Sequence, residues 1–185
     1  MRNQRKRSMK RVTTIKKKSQ RKWRIEVLQR AKSPILKRAM IVKTTKKILS
    51  VLDSKLKGKK KIPPLVEELS IVFVSDPEIH KYNLAYRGKD KPTDVLSFSL
   101  LEGENKIGAS SLGDVMISLK TAKKQAKEYG VTFSEEILRL LIHGILHLCG
   151  FDHENVPQRM VLEMQRFEDL LFGECRNFVI TSEAK

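Results

Sequence analysis

Four short runs in the chain have the apolar and β-branched composition of strands. The clearest is Glu68–Val74, a β-rich run of strand length. Trp23–Leu28 alternates weakly between apolar and polar residues, and Asp94–Ser99 and Leu112–Ser118 are two further candidates. We therefore predict four strands, with a loop of glycines and serines between the last two.

Five other segments place apolar residues at steps of three and four, which is the spacing of an amphipathic helix. Each segment is bounded by residues that favour helix starts or stops. The predicted helices run from Ile35 to Leu56 with a stop at Gly58, from an Asp76 N-cap with Pro77 at the first position to Tyr86, from Leu119 to Tyr129 with closure at Gly130, from a Thr132–Glu135 capping box through His147, and from Asn155 to Phe172 with a stop at Gly173.

The fourth of these helices carries a cluster of histidines. His143 and His147 are four residues apart, so on a helix both side chains project from one face, one turn apart. Gly150 closes the helix, because glycine tolerates the left-handed conformation that reverses the chain. This reversal can bring His153 beside the other two imidazoles.

Three neutral imidazoles suit Zn²⁺ and leave a fourth tetrahedral position open, as in a catalytic zinc site. The spacing H-x3-H-x2-G-x2-H also occurs in metzincin proteases, where a Glu after the first His is the general base. Here that position is Gly144, so we expect a zinc-dependent site that is not proteolytic. The alternative is that the histidines are structural residues on a buried helix.

The remaining histidine and the cysteines are weaker candidates. His80 has no ligand partner nearby in the sequence and is expected to be an ordinary surface residue. Cys149 lies inside the histidine turn and is a conceivable ligand, although a small buried filler is the favoured interpretation.

The 185 residues suffice for one domain with a substantial core plus an appendage. Residues 1–22 are almost free of apolar side chains and are expected to be a disordered basic arm, followed by a domain at 23–175 and a tail at 176–185. There is no apolar run near the ~20 residues of a membrane span and no apolar segment near the start that resembles a secretory signal. The two cysteines form no CxxC pair, so we expect a cytoplasmic protein.

The basic residues are concentrated at the N-terminal end. Residues 1–62 contain 24 Lys and Arg against two acidic residues, a net charge of +22, whereas the rest of the chain carries −5. Such a block is an electrostatic footprint for a polyanion, because neutralised phosphates release their condensed counterions. A solvated tail without a dedicated partner, an anionic membrane surface and an organellar transit peptide are the alternatives.

The connection around Arg87 is dense in polar residues, and loops of that kind often carry function. Arg87 offers a planar fork of donors that suits phosphate oxygens, and Lys89 and Lys91 add positive charge. The alternative is that Arg87 pairs with Asp90 or Asp94 and pins the loop. The sequence alone supports both interpretations equally.

Two separated motifs resemble the YbeY family of metal-dependent endoribonucleases, also called rRNA maturation factors. One is Asn83–Phe98 together with the Leu112-Gly-Asp-Val115 strand, and the other is H-G-x-L-H-L-x-G-x-D-H at residues 143–153. The resemblance covers roughly residues 23–175. It implies a single α+β domain with a mixed sheet of about four strands and about five helices, one of them a zincin-like metal helix.

The resemblance also implies one Zn²⁺ per chain on His143, His147 and His153, and an arginine of the family's kind at Arg87. The implied role is maturation of the 16S rRNA 3′ end and late ribosome quality control. Relatives of this kind usually begin near the first strand, so the basic arm is a departure whose purpose the resemblance does not supply.

From these features we expect a zinc-dependent endoribonuclease specific for single-stranded RNA, acting by hydrolysis or transesterification. Arg87, His143, His147 and His153 would be its catalytic residues. The metal would activate water and polarise a phosphoryl oxygen, while Arg87 would stabilise charge that grows on the phosphorane. Asp152 would either orient a metal ligand or cap the turn.

The expected partners are rRNA and the small ribosomal subunit, with ribosomal proteins or an assembly GTPase as further candidates. Neither a membrane nor a DNA role is expected. The alternative function is a ribosome-assembly RNA-binding factor with a structural zinc and little nuclease activity. A third interpretation, hydrolysis of a small amide or ester, leaves the basic arm unexplained.

Overall fold

One mixed sheet forms the centre of the molecule. The computed structural model describes residues 21–31, 33, 35–56, 62–101 and 110–178. The strands that the described residues form are β1 (Arg24–Gln29), β2 (Glu68–Val74), β3 (Val95–Ser99) and β4 (Ser111–Ser118). They are ordered β1-β2-β4-β3 across the sheet, with β1 and β4 parallel to β2 and with β3 antiparallel to β4 at one edge of the described sheet.

Helices cover both faces of this sheet. One mixed sheet of four strands packed by five described helices confirms the predicted α+β class and single domain. Within the described residues they are α1 (Arg38–Lys55), α2 (Asp76–Arg87), α3 (Leu119–Tyr129), α4 (Phe133–Leu148) and α5 (Gln158–Cys175). None of them combines the length and the apolar character that a membrane crossing requires.

Alternation along the central strands sorts the core into two layers. On β2, Ile71 and Phe73 belong to the larger cluster, which also holds the buried residues of α1, α3, α4 and α5. Val72 and Val74 belong to a smaller cluster with Ile79 of α2. Both faces of β2 are therefore buried, which is why its sequence reads as a continuous apolar run.

Three predicted helix boundaries are wrong: the start of the first helix and both ends of the last one. The first helix begins at Arg38 rather than Ile35 and ends at Lys55, while its predicted stop, Gly58, lies outside the described residues. The last helix starts at Gln158 rather than Asn155, because the residue before Pro157 is disfavoured in the helical region.

The same helix continues through Gly173 to Cys175. Leu171 and Cys175 are four residues apart on one face, and both are fully buried. Their burial outweighs the cost of about 1 kcal/mol for a glycine in a helix interior.

Asp76 does not act as the predicted N-cap. That position belongs to Ser75, so Pro77 is the second helical residue. The Asp76 carboxylate instead accepts hydrogen bonds from the hydroxyls of Ser118 and Thr121. Asp76 thereby ties the start of α2 to the start of α3, a contact between segments that are 42 residues apart.

The ends of the described chain bear on the predicted arm and tail. Residues 1–20, 102–109 and 179–185 lie outside the described residues. Arg21, which the prediction assigned to the arm, donates to the backbone oxygens of Val66 (2.9 Å) and Ile62 (3.2 Å) and pairs with Asp53 (3.3 Å). Arg21, the first described residue, is therefore already in contact with the folded domain.

Candidate metal centre

Helix α4 presents two of the three histidines. It opens with the predicted capping box, in which Thr132 and Glu135 satisfy each other's backbone N–H groups. Its predicted apolar side is buried, and Leu141 and Ile145 are completely inaccessible to solvent. This burial fixes the rotation of the helix, so His143 and His147 are left half-buried on the opposite face.

The turn after α4 returns the chain towards these two residues. Gly150 has φ +81°, and its N–H donates to the oxygen of His147 (2.9 Å) while the N–H of Phe151 donates to that of Leu146 (3.1 Å). These bonds form a Schellman motif, which satisfies the last carbonyls of the helix. Phe151 is buried and packs edge-on against Phe167 at 5.0 Å, so the returning chain is anchored in the core.

Asp152 completes the turn. Its Oδ1 accepts from the backbone N–H groups of His153 (2.7 Å) and Glu154 (3.0 Å). Partial burial would raise the pKa of this carboxyl group, but the two backbone hydrogen bonds and the nearby histidines hold the pKa below its ordinary value. Of the two predicted roles of Asp152, orienting a metal ligand or capping the turn, these hydrogen bonds correspond to capping the turn.

The three imidazoles converge through their Nε2 atoms. The Nε2 of His143 lies 3.1 Å from that of His147 and 3.3 Å from that of His153. A tetrahedral zinc with Zn–N bonds near 2.0–2.1 Å has ligand nitrogens about 3.3 Å apart. All three ligand atoms lie within 4.8 Å of one another, so the donor set fits a divalent ion that prefers nitrogen.

Glu168 on α5 fixes the tautomer of one ligand. The Nδ1–H of His143 donates to Glu168 Oε1 at 2.8 Å, which leaves the Nε2 of His143 with a free electron pair towards the other two rings. A carboxylate behind a ligating histidine orients the ring and raises its basicity as a ligand. No motif in the sequence points to Glu168, which lies 25 residues beyond His143 on another helix.

The electrostatic environment keeps His147 neutral. Burial, together with the neighbouring His143 and His153, lowers the pKa of its imidazole to about 4. A neutral imidazole is the form that binds a metal. Cys149, in contrast, is buried in the core, where burial raises the pKa of its thiol to about 12, as the filler interpretation requires.

At Gly144 helix α4 lies close against the sheet. A Cβ on this residue would lie 2.6 Å from Val115 Cγ1 and 3.1 Å from Ser97 Oγ, and the Ser97 hydroxyl donates to the Gly144 oxygen at 3.1 Å. The position that holds the general base in metzincins is therefore packed against β3 and β4 and has no room for a carboxylate side chain.

The histidines open into a cavity of about 690 Å³ between the end of α2 and the segment that follows it, β3, α4 and α5. Arg87 lines this cavity together with all three histidines. Its Nη1 lies 3.9 Å from Glu154 Oε2, and Lys89 Nζ lies 3.6 Å from Glu154 Oε1. The predicted alternative partners of Arg87 are engaged elsewhere, since Asp90 pairs with His80 (2.7 Å) and Asp94 accepts from Gln125 (2.9 Å).

The structure thus brings the four predicted site residues to one cavity. His80, predicted to be an ordinary surface residue, lies apart from the group and pairs with Asp90. Sequence reasoning missed Glu168 behind His143 and Glu154 opposite Arg87. Both are glutamates in a segment with many charged residues, and no spacing rule singles them out.

Comparisons with known proteins identify relatives of this chain. The family described as Endoribonuclease YbeY matches residues 24–174. A curated protein named Endoribonuclease YbeY from Thermodesulfovibrio yellowstonii is 36% identical over 156 residues, which is 82% of this chain and 97% of that protein. One of the same name from Persephonella marina is 50% identical over 111 residues, or 60% of this chain and 72% of that protein.

A solved structure has a similar fold. The solution structure of TM1509 from Thermotoga maritima superposes with a TM-score of 0.52 at 26% sequence identity. The match covers 83% of this chain and 92% of that one. The likeness therefore extends over nearly all of the domain that the structure describes.

Proposed function

The chain belongs to the family of Endoribonuclease YbeY, and we propose that it is a metal-dependent endoribonuclease that cleaves single-stranded RNA. One observation carries this proposal: three Nε2 atoms converge on one point in an open cavity that Arg87 also lines. A structural zinc is closed by four protein ligands, whereas within the described residues this ligand group has three members and His153 is exposed. That difference favours a catalytic over a purely structural metal.

We propose Zn²⁺ as the ion and His143, His147 and His153 as the residues that hold it. When bound, such an ion supplies a water of lowered pKa and a Lewis acid for a phosphoryl oxygen. Glu168 holds the His143 ring in the ligating tautomer, and burial keeps His147 in its neutral form. No metzincin-type base fits at Gly144, so the proposed reaction uses none from that position.

Arg87 is proposed to bind the reacting phosphate. Its guanidinium is held at the cavity wall by a long ion pair with Glu154, in which the side chains are 39% and 48% exposed. A pair this exposed and this long contributes little stability, so a phosphate can replace Glu154 at low cost. The planar fork of Arg87 would then stabilise charge that builds up on the phosphoryl oxygens.

The biological substrate that the family supports is ribosomal RNA, and we propose maturation of the 16S rRNA 3′ end and late ribosome quality control as the setting. The small ribosomal subunit is the corresponding partner, and the cytoplasm is the corresponding location.

Residues 1–20 carry nine Lys and Arg, and we propose that they add non-specific RNA affinity. Removing residues 1–20 would then reduce the slope of log affinity against log salt concentration by up to about six. Each neutralised single-strand phosphate contributes about 0.7 to this slope.

The proposed activity is tested with purified full-length protein and three substrates: a single-stranded RNA, a hairpin RNA and a DNA of the same sequence. We expect cleavage of the single-stranded RNA that chelator abolishes and that added Zn²⁺ restores. His147→Ala should lose both the metal and the cleavage. His80→Ala is the matched control, because His80 lies outside the metal group, and it should cleave like the wild type.

Equal cleavage by His147→Ala and the wild type would contradict the catalytic assignment. The RNA-binding alternative predicts a different pattern. Chelation would then lower the melting temperature, while the untreated protein would bind RNA without cleaving it.

A further inference from the structure

Three aromatic rings form a ladder on the side of β3 that faces away from the metal group. Tyr82 and Tyr86 on α2 are stacked with ring centroids 6.2 Å apart and an interplanar angle of 10°. Phe98 on β3 meets both rings edge-on, at 6.1 Å from Tyr82 and 5.1 Å from Tyr86. We call Tyr82, Tyr86 and Phe98 the aromatic ladder.

The ladder has a buried base and an exposed tip. Tyr82 and Phe98 are partly buried against the small core cluster under α2, whereas Tyr86 is 69% exposed. Stacked and edge-on contacts at these separations are favourable and orient the rings. Tyr86 is therefore oriented by two neighbours and is at the same time the exposed member of the group.

The ladder and the metal group lie on either side of one edge strand. Ser97 and Ser99 donate hydrogen bonds to α4, at Gly144 (3.1 Å) and Leu148 (3.4 Å). Phe98 lies between these serines and points to the opposite face of the sheet. A chain that leaves the cavity over β3, an edge strand of the described sheet, therefore reaches the ladder after crossing a single strand.

Positive charge connects the two places. Arg87 directly follows Tyr86 at the end of α2 and lines the cavity, and Lys89 and Lys91 also line it. All three are exposed. A ligand that bridges the ladder and the cavity should thus have planar apolar faces and a polyanionic backbone, and single-stranded RNA has both.

We propose that Tyr86 is a stacking platform for one unpaired base of the RNA strand, next to the phosphate at the metal group. The proposal rests on the proposed function for its substrate class and adds a position at which the enzyme distinguishes single-stranded from paired RNA. A base in a duplex is already stacked on its neighbours and cannot reach the ring, whereas an unpaired base can. Tyr86 is a positioning residue in this scheme, because it contacts a base and not the reacting phosphate.

The test is a double-mutant cycle on binding, read by fluorescence anisotropy with full-length protein and chelator present so that no RNA is cut. One set of RNA probes lacks a single base at successive positions while the backbone is kept. For wild-type protein, one of these abasic probes should bind about five- to a hundredfold more weakly than intact RNA, the range of one base–aromatic stack. Tyr86→Ala should show the same loss with intact RNA and no further loss with that abasic probe.

Three variants separate stacking from folding. Tyr86→Phe keeps the ring and should bind like the wild type. Tyr86→Leu keeps an apolar contact for Phe98 without a ring and should bind like Tyr86→Ala, with an unchanged melting temperature. Tyr129→Ala removes another tyrosine, 64% exposed at the end of α3, and should leave binding unchanged.

Wild-type affinity in Tyr86→Leu, or an abasic penalty that persists in that variant, would overturn the platform. The readout is binding, so it is independent of cleavage. If Tyr86→Ala and the abasic probe lose affinity together but the protein cuts no RNA, the proposed function is wrong and the stacking role of Tyr86 stands. If the protein cuts RNA but the two losses of affinity are independent, the proposed function stands and the stacking role is wrong.

Discussion

Glu168 Oε1 lies 2.8 Å from His143 Nδ1, and this contact joins α5 to the metal group on α4. It sets which nitrogen of His143 carries the proton, and so which nitrogen faces His147 and His153. Both side chains are about one third exposed, at 29% and 32%. The contact therefore matters more for the orientation of a ligand than for the stability of the fold.

Removing the Glu168 carboxylate should weaken metal binding. We expect Glu168→Ala to lower Zn²⁺ affinity by about 10- to 100-fold, the range for partners of metal-ligating histidines. Glu168→Gln keeps a hydrogen-bond acceptor without the charge, so its Zn²⁺ affinity should lie between those of Glu168→Ala and the wild type. Competition with a chromogenic chelator measures this affinity. Glu174→Gln, the same change on the same helix at a surface pair with Lys47, should bind Zn²⁺ like the wild type.

Replacing Arg87 should impair the chemical step more than the binding of RNA. If Arg87 supplies donors to the reacting phosphate, Arg87→Ala should lower kcat by about 100- to 1000-fold. Arg87→Lys keeps the charge but loses the planar fork, and should recover a minor part of that rate. Arg24→Lys, at the opposite edge of the sheet, is the control. Loss of RNA affinity at unchanged kcat would instead assign Arg87 to binding alone.

Neutralising Glu154 should make Arg87 and Lys89 more available to phosphate. Glu154→Gln removes the carboxylate that lies 3.9 Å from Arg87 and 3.6 Å from Lys89. We expect several-fold tighter RNA binding at low salt, because a rim charge that competes with the ligand is lost, and a smaller gain at high salt. A titration at two salt concentrations measures both, and an affinity equal to that of the wild type would exclude the competition.

Adding one methyl group at Gly144 should destabilise the site through crowding. The new Cβ of Gly144→Ala would lie 2.6 Å from Val115 Cγ1, which forces α4 and β4 apart. We expect a loss of about 1–3 kcal/mol in the free energy of unfolding, measured by urea denaturation, together with weaker metal binding. The double variant with Val115→Ala should be more stable than the sum of the two single losses predicts, because the second change removes the colliding methyl groups.

Asp76 should make stability depend on pH. Partial burial raises the pKa of its carboxyl group, but hydrogen bonds from Ser118 and Thr121 and the charge of Lys120 outweigh burial and hold the pKa below its ordinary value. Because the folded-state pKa is lowered, this stabilisation is complete above the unfolded value near 3.9 and is lost as the pH falls through the folded value.

Asp76→Asn should therefore cost about 1–3 kcal/mol of unfolding free energy at pH 7, and much less near pH 2. Urea denaturation at the two pH values measures the difference. Glu128→Gln, a change at the surface pair with Lys124, should be close to neutral at both. A cost for Asp76→Asn that is independent of pH would mean that its charge does not stabilise the fold.

Local sequence rules determined most of the elements. Glu68–Val74, the closure of α3 at Gly130 and the capping box of α4 agree with the prediction, because strand composition and helix capping act within a few residues. The errors at both ends of α5 arose from a proline and from burial. At Gly173, packing of Leu171 and Cys175 outweighs local preference, and this packing depends on residues from elsewhere in the chain.

The histidine turn was readable from the sequence because all of its geometry lies within eleven residues. Helical periodicity sets His143 and His147 on one face, and the Schellman turn at Gly150 returns His153 to them. The contacts of Glu168 and Val115 with this segment, and of Glu154 with Arg87, were decided by tertiary structure alone. They join segments brought together by burial of the apolar faces of α4, α5 and β4, and no local pattern encodes which polar side chain then meets which histidine.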